Sequence, residues 1–446
     1  MADLNNSANS SSDVHQNGSE EVKIDILEDD WWEPKPGCCI YKVPIDLRKK
    51  NEEAYTPQVI SIGPLHHGKN ELKDMQNQKK RYKHIFKERK GNEKLVEMKS
   101  YIKSQEKKIR DCYEQPSSLK SDQFVNMILD DSVFIIELFL RNYWNVDDFL
   151  LEKPRYKNTI KRDLQLLENQ LPYFVLNELY MSAIQGFDFG PYKGSTYTDP
   201  PSFLDISCKF FDYKSYADFS KKEGFNVEHF TDLRRNVLMQ NHPTSKTPKK
   251  VVDLPCATKL DKSGVRFKPS DVENEDRLLD LNFLTCKRGS ILPFFKKYEL
   301  HIPRIMVNDW TEVLMRNVMA LEQCHYPKET HVCNYITFMD FLINTEKDAD
   351  LLIDKGIIVN CLGENKAITR MFNNFCLQTS KSPSCYSELA ERLNTHYRSP
   401  YHHAKATLKS VYFGDPWKGT GTVVGIIILL LALANTVHSM LRFYMK

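Results

Sequence analysis

Apolar residues recur at every third or fourth position through most of the chain, which predicts a protein built mainly of amphipathic helices. Leu72, Met75, Lys79, Tyr82 and Phe86 share one stripe; Gly91 ends that helix before Leu95, Met98, Ile102 and Ile109 form the next. Residues 121–144, SDQFVNMILDDSVFIIELFLRNYW, predict a strongly apolar helix with Ser121 as its N-cap. Asp130, Asp131 and Glu137 within it mark a core helix rather than a membrane span. The stretch RDLQLLENQLPYFVLNELYMSAI predicts two helical segments meeting at Pro172, where the missing amide breaks the rod. Further helices are predicted in 202–216, 224–240, 311–324, 335–357, 365–376 and 387–413. Three stretches, 265–268, 279–284 and 298–302, instead alternate apolar and polar positions, which suits a small β-ribbon. Residues 59–62 predict a short extended segment closed by a Gly63-Pro64 turn.

The expected fold is therefore mainly α: one large helical domain with a small β-ribbon insertion and a C-terminal transmembrane helix. Residues 1–30 are a polar and acidic tail too poor in apolar side chains to fold alone. The helical body runs over 31–240, a Pro/Lys/Thr-rich linker over 241–255, and the β-ribbon with the remaining helices over 256–418. A Gly, Pro, Tyr and Thr-rich loop is expected at 186–201.

Residues 419–441, GTGTVVGIIILLLALANTVHSML, hold no Asp, Glu, Lys or Arg. As a helix they extend over roughly 34 Å, enough for the hydrocarbon core of a bilayer. Lys418 precedes them, Arg442 and Lys446 follow, and Trp417 and Tyr444 stand at interfacial positions. The lipid bilayer is thus the first expected partner. The N-terminus offers no apolar signal stretch, which predicts tail-anchored insertion with the body in the cytosol, at the plasma membrane or an endomembrane. Flanking positive charge falls on both sides of the span and does not set the orientation.

Composition sharpens this picture in a few places. In 446 residues, 41% hydrophobic and 11% aromatic side chains support sizeable packed cores. A net charge of +3 provides no global attraction to nucleic acid. The charge is uneven, however: residues 69–110 hold fifteen Lys/Arg against six Asp/Glu. Within them Lys79, Lys80, Arg81 and Lys83 offer a contact for anionic lipid, while the aromatic interleaving of a base-stacking surface is missing. The eleven cysteines are odd in number, irregularly spaced and without a CxxC pair, which fits free thiols in a reducing compartment. Asn-x-Ser sequons occur at Asn5, Asn9 and Asn17, and no Asn-x-Ser/Thr sequon follows residue 20.

Candidate chemistry is sparse. His66-His67 are adjacent, so their rings diverge and seldom share one metal. Glu322 and His325 have the ExxH spacing of di-iron bundles, but no second ExxH accompanies them. Asp130-Asp131 with Glu137, and Glu168-Asn169-Gln170, lie in strongly apolar surroundings, where polar side chains more often fix packing than run reactions. No GxSxG, Walker, GxGxxG or kinase signature is present. No catalytic, cofactor-binding or metal-ligating residue is assigned, and no cofactor is expected. The rival expectation is a metal- or carboxylate-dependent enzyme using His66, His67, Asp130 and Glu168.

One run of residues carries a family resemblance. Tyr55, Pro57, Ser61-Ile62-Gly63-Pro64 and His66-His67-Gly68, followed by a lysine-rich helix, resemble the signature of the domain-of-unknown-function 247 proteins of land plants. The likeness continues through SDQFVNMILDDSVFIIELF, RDLQLLENQLPYFVL, ATKLDKSGVRFK, ALEQCH and FMDFLINTEKDADLLIDKGIIVN, covering about residues 38–441. Two departures stand out: Asp131 replaces a usual glycine, and the β segment around CKRGSILPFFKKYEL is long and irregular. The resemblance implies a membrane-associated plant protein with no characterised enzymatic relative; the missing chemical motif and the C-terminal span lead to the expectation of a non-enzymatic interaction or signalling protein with an unidentified protein partner. It assigns family-motif roles to Ile62, Gly63, Pro64, His66, His67, Gly68, Asp130, Glu137, Glu168, Asn169, Gln170 and Glu322. Some grass members are similar to proteins implicated in pollen self-incompatibility, a role that does not transfer to this chain.

Overall fold

A computed structural model describes residues 34–185, 200–214, 225–240, 242, 243, 245, 247–270, 277–286, 297–376, 382–404, 407 and 416–444. The acidic tail 1–30 and most of the predicted loop 186–201 lie outside these residues.

Helices dominate, as the periodicity predicts. Helix α1 (Lys73–Lys90) buries Met75, Lys79, Tyr82 and Phe86, the predicted stripe. Gly91, at φ 84°, ends it and opens α2 (Asn92–Ser104), which buries Leu95, Met98 and Ile102. Helix α3 (Ser121–Trp144) runs through the centre of the first core. Ser121 is its first helical residue rather than its cap. Lys120 takes the cap position and donates its amide to Gln123 Oε1 at 3.3 Å, while the Ser121 hydroxyl bonds Glu106. Around α3 lie α4 (Pro154–Asp163), α5 (Tyr173–Ile184), α6 (Phe203–Phe211) and α7 (Phe230–Leu238). Phe139 of α3 meets the rings of Phe203, Phe210, Phe211 and Phe230 at centroid distances of 6.2, 4.4, 5.7 and 5.5 Å. Such offset and edge contacts add to simple area burial.

The expected helix before Pro172 is corrected: α4 stops at Asp163, and 164–172 is irregular. Side-chain amides supply the reason. Asn169 Nδ2 donates to Asp163 O at 2.8 Å, and Gln170 Nε2 to Leu164 O and Leu166 O at 2.7 Å each. These carbonyls would otherwise accept helical amides four residues on. Pro172 caps α5 instead.

The second core begins at Leu238, where α7 leaves the first. Strands β1 (Val265–Pro269), β2 (Asn282–Cys286) and β3 (Lys297–Ile302) form a sheet in the order β1-β3-β2, with β1 parallel and β2 antiparallel to β3. The ribbon was expected, although β2 starts at Asn282 rather than at residue 279. A parallel pair, β4 (Ile305–Val307) and β5 (Ile358–Asn360), was not expected; three-residue strands are too short to display a period. Packed on these are α8 (Asp309–His325), α9 (His331–Leu342), α10 (Glu346–Asp354), α11 (Asn365–Phe375) and α12 (Ser387–Arg398). The single helix expected over 335–357 is two, because Thr345 and Asp348 form a reciprocal cap that starts α10 afresh.

The N-terminal segment joins the two cores. Cys38, Tyr41, Val43, Leu47 and Tyr55 cluster with Leu167 and with Ala320 and Leu321 of α8. Asn317 of α8 reinforces the contact: its Oδ1 accepts the Leu167 amide at 2.9 Å and its Nδ2 donates to Ala54 O at 2.7 Å. The last helix, α13 (Pro416–Tyr444), contains the expected span. Its segment Val424–Arg442 is long and apolar enough to cross a membrane and is not buried against the rest of the chain.

Candidate functional site

The signature stretch 55–68 takes its shape from side chains brought to it by α1, α3, the end of α4 and the irregular segment 164–172. Residues 58–63 form no sheet; the amides of Gln58, Val59, Ile60, Ile62 and Gly63 are taken by side-chain oxygens in place of a neighbouring strand. Asp163 Oδ2 accepts the amides of Gln58, Val59 and Ile60 at 3.0, 2.7 and 3.1 Å. Asn169 Oδ1 accepts that of Ile62 at 2.6 Å, and Asp131 Oδ2 that of Gly63 at 2.8 Å. Gly63 sits at φ +71°, and a Cβ there would lie 2.4 Å from Gln170 O. That carbonyl also accepts the Tyr113 hydroxyl at 2.9 Å. Gln170 Oε1 meanwhile accepts the Phe230 amide at 2.9 Å, tying α7 to the same segment.

Three buried ionic contacts surround the loop. Lys79 is 1% exposed, and its Nζ donates to Asp131 Oδ1 and to Ser61 O at 2.5 Å each. Burial pushes the Asp131 carboxyl above its usual range, against the pull of Lys79 and the Gly63 amide. Asp163 is likewise pushed up by burial and held back by Arg162 Nη2 at 2.9 Å and by the loop amides. Glu168 behaves in the opposite way. Burial raises it, but His66, Arg48 and the Val43 amide together outweigh that and hold it below the ordinary carboxylate range. Glu168 Oε2 lies 2.5 Å from Arg48 Nη2 and 3.3 Å from His66 Nε2, and Oε1 accepts the Val43 amide at 2.8 Å.

The remaining expected residues separate cleanly. Ile62 and His66 are buried, whereas His67 and Gly68 are exposed, so the adjacent histidines diverge as anticipated. Asp130 faces outward and pairs with Lys83 at 2.6 Å. The rival constellation of His66, His67, Asp130 and Glu168 is therefore not assembled; only His66 and Glu168 meet. Glu137 is buried beside Arg89 and Arg141, and burial pushes its carboxyl up. Glu322, fully buried, accepts the Val332 and Cys333 amides at 3.0 and 2.9 Å and so caps α9. His325 instead meets the Tyr41 hydroxyl at 3.0 Å, which divides the ExxH pair. Among the described residues no group of three His, Cys, Asp or Glu side chains is placed to hold a metal. Lys79 is withdrawn from the expected lipid-facing set by its burial, while Lys80 and Arg81 are exposed and Lys83 is half-buried.

Asp163, Arg48 and Asn317 were not singled out in the sequence. Asp163 carried no signal, because the predicted helix begins at RDLQ and an acid in a first turn is ordinary; only the structure shows that it ends a helix. Chemically, the junction holds segments in place. The oxygens of Asp131, Asp163 and Glu168 are engaged by backbone amides and cations, and the groups are sealed from solvent. A cavity of about 680 Å³ opens elsewhere, between α12 and the β2–β3 pair, and none of these residues lines it.

Comparison with known proteins points to one family. A family profile for domain-of-unknown-function 247, described as a plant protein of unknown function, matches residues 40–431. The chain is 27% identical over 429 residues to UPF0481 protein At3g47200 of Arabidopsis thaliana, covering 92% of this chain and 87% of that relative. It is 21% identical over 481 residues to Putative UPF0481 protein At3g02645 of the same plant, covering 88% of each. No solved structure matches.

Two outcomes follow from the geometry. Gly63→Ala meets both a positive φ and the Gln170 carbonyl, and should lose more than ~2 kcal/mol of stability. Gly68→Ala, at φ +81° with open space around it, should lose about 1 kcal/mol. Urea unfolding of the two variants measures the contrast, and equal losses would contradict the close approach. Glu168→Gln tests the ionic contact through pH. Because the folded pKa is depressed, the variant should show its full deficit, about 2 kcal/mol, above the ordinary glutamate value of ~4.3. The deficit should shrink as the pH falls through the depressed folded value, where the wild-type carboxyl protonates too. Thermal unfolding as a function of pH reads this out.

Proposed function

The chain belongs to this plant family of unknown function, and from that premise we propose that it is a membrane-tethered, non-enzymatic interaction protein. One observation carries the tether: the apolar segment Val424–Arg442 buries none of its side chains on the rest of the chain. Leu429, Leu430, Leu431 and their neighbours are each more than half exposed. At ~25 cal/mol per Å² of apolar surface, leaving such a helix in water is strongly unfavourable, and a bilayer of about 30 Å accommodates it. We place the body in the cytosol. The lack of Asn-x-Ser/Thr sequons beyond residue 20 supports that side. The non-enzymatic reading is supported by the signature residues themselves, whose charges hold backbone segments instead of lining an open cleft. The interacting partner is then a protein or lipid surface met by exposed residues of the body, Lys80 and Arg81 among them.

The test compares full-length protein with a chain ending at residue 415, both expressed in plant cells. Full-length protein should float with membranes and resist alkaline carbonate, and the truncated chain should be recovered soluble. Release of the full-length protein by carbonate, or flotation of both chains alike, would contradict the tether. Protease added to sealed microsomes should digest the body without detergent; a protected fragment of nearly full size would reverse the orientation.

A further inference from the structure

Cys39 and Cys112 stand side by side in the first core, where the N-terminal segment passes the end of the second basic helical stretch. Ile40 and Tyr113 form a parallel β-bridge, and Cys39 and Cys112 are the residues immediately before them, Cys112 being the C-cap of the short helix Glu106–Asp111. The Cys39 and Ile40 amides both donate to Cys112 O, at 3.0 and 2.9 Å, and Glu114 N returns to Ile40 O at 3.0 Å. A direct amide-to-carbonyl bond between the two residues keeps their Cα atoms close to the separation of roughly 4.4–6.8 Å that a disulfide asks for. Both thiols lie in the first core, and Cys112 Sγ donates to Lys108 O at 3.3 Å. Cys38 does not compete for this partner. Adjacent residues on extended backbone face opposite sides, and Cys38 packs in the separate cluster with Tyr41, Ala320 and Leu321.

We propose that Cys39 and Cys112 are a disulfide-forming pair, closed by a low-molecular-weight disulfide such as oxidised glutathione. In a reducing compartment the pair rests as two thiols. Cys112 is the attacking sulfur, because it is the less enclosed of the two, 6% exposed against 2% for Cys39. It attacks one sulfur of the oxidant, breaking that S–S bond and expelling one thiolate, which takes up the proton released by Cys112. Cys39 then loses its proton and attacks Cys112 Sγ; the mixed disulfide breaks and the second glutathione leaves with that proton as a thiol. Two protein thiols are oxidised and one glutathione disulfide is reduced to two thiols. The closed loop runs from Cys39 to Cys112 and contains the whole signature stretch 55–68 together with Lys79. Oxidation therefore locks the segment that supplies the Val43 amide to Glu168 and the Gly63 amide to Asp131. Restricting a loop of that length in the unfolded chain should raise Tm by about 5 °C.

The experiment uses full-length protein in detergent micelles, folded under dithiothreitol and then transferred to oxidised glutathione. Remaining thiols are blocked, the protein is digested without reduction, and the peptides are mapped by mass spectrometry. A cross-linked pair containing Cys39 and Cys112, lost on reduction and accompanied by a rise in Tm, is the expected result. Fragment ions separate Cys39 from the adjacent Cys38. Cys112→Ala, which removes a buried side chain, should start from a lower Tm than the reduced wild type and show neither the cross-link nor any rise on oxidation. The proposal is overturned if both cysteines carry the blocking label or separate glutathiones after oxidation, or if Cys39 is joined to another cysteine. Should Cys112→Ala fail to fold, the wild-type peptide map decides the matter by itself.

Discussion

The contact between Lys79, Asp131 and the backbone of residues 61–63 sets the terms for the rest of this structure. An ammonium and a carboxylate leave water together, 2.5 Å apart, in a region lined by apolar helices. Desolvating such a pair costs several kcal/mol per ion and is tolerable only when the remaining donors and acceptors are also engaged. The Ser61 carbonyl and the Gly63 amide meet that requirement. A loop that would otherwise be free on a helical surface is thus held between α1 and α3. The glycine is obligatory because its neighbour across the gap is itself a backbone carbonyl.

The same logic extends outward through residues 163–170. Asp163, Glu168, Asn169 and Gln170 each reach a different stretch of chain: 58–60, 43, 60–62 and 230 respectively. Asn317 attaches the second core to this hub through Leu167, and Glu322 on the same helix caps α9 at the far end. Buried polar groups of this kind select one arrangement among several that apolar packing alone would allow. The two cores are consequently joined by hydrogen bonds of fixed direction as well as by the apolar cluster around Tyr55 and Leu321.

Much of this fold was legible because helical periodicity reports directly on burial. The stripe Met75, Lys79, Tyr82, Phe86 was read correctly, lysine included, since position on the stripe and not residue type decides which way a side chain faces. The same lysine was also assigned to a lipid-facing set on charge alone, and there burial overruled it. The helix expected before Pro172 failed for a related reason: LQLLENQ has good helical period, yet Asn169 and Gln170 take the carbonyls that a helix would use. Paired three-residue strands such as β4 and β5 leave no periodic trace at all. Of the candidate site, the separate members of the motif were visible, but the pairing of Asp131 with Lys79 and of Glu168 with Arg48 was not. Partners 52 and 120 positions apart, set side by side by tertiary packing, carry no local signal.

A junction built to hold segments is in keeping with the proposed role of presenting a surface beside a membrane. A double-mutant cycle with Lys79→Met and Asp131→Asn shows whether Lys79 and Asp131 act as one buried architectural unit. Asparagine retains an acceptor for the Gly63 amide and removes only the charge. Each single substitution should lose about 3–5 kcal/mol in urea unfolding, because it leaves a buried charge without its partner. The double variant should lose less than the sum by ~2 kcal/mol or more. Losses that simply add, to within ~0.5 kcal/mol, would show that the two residues act independently and would contradict the account.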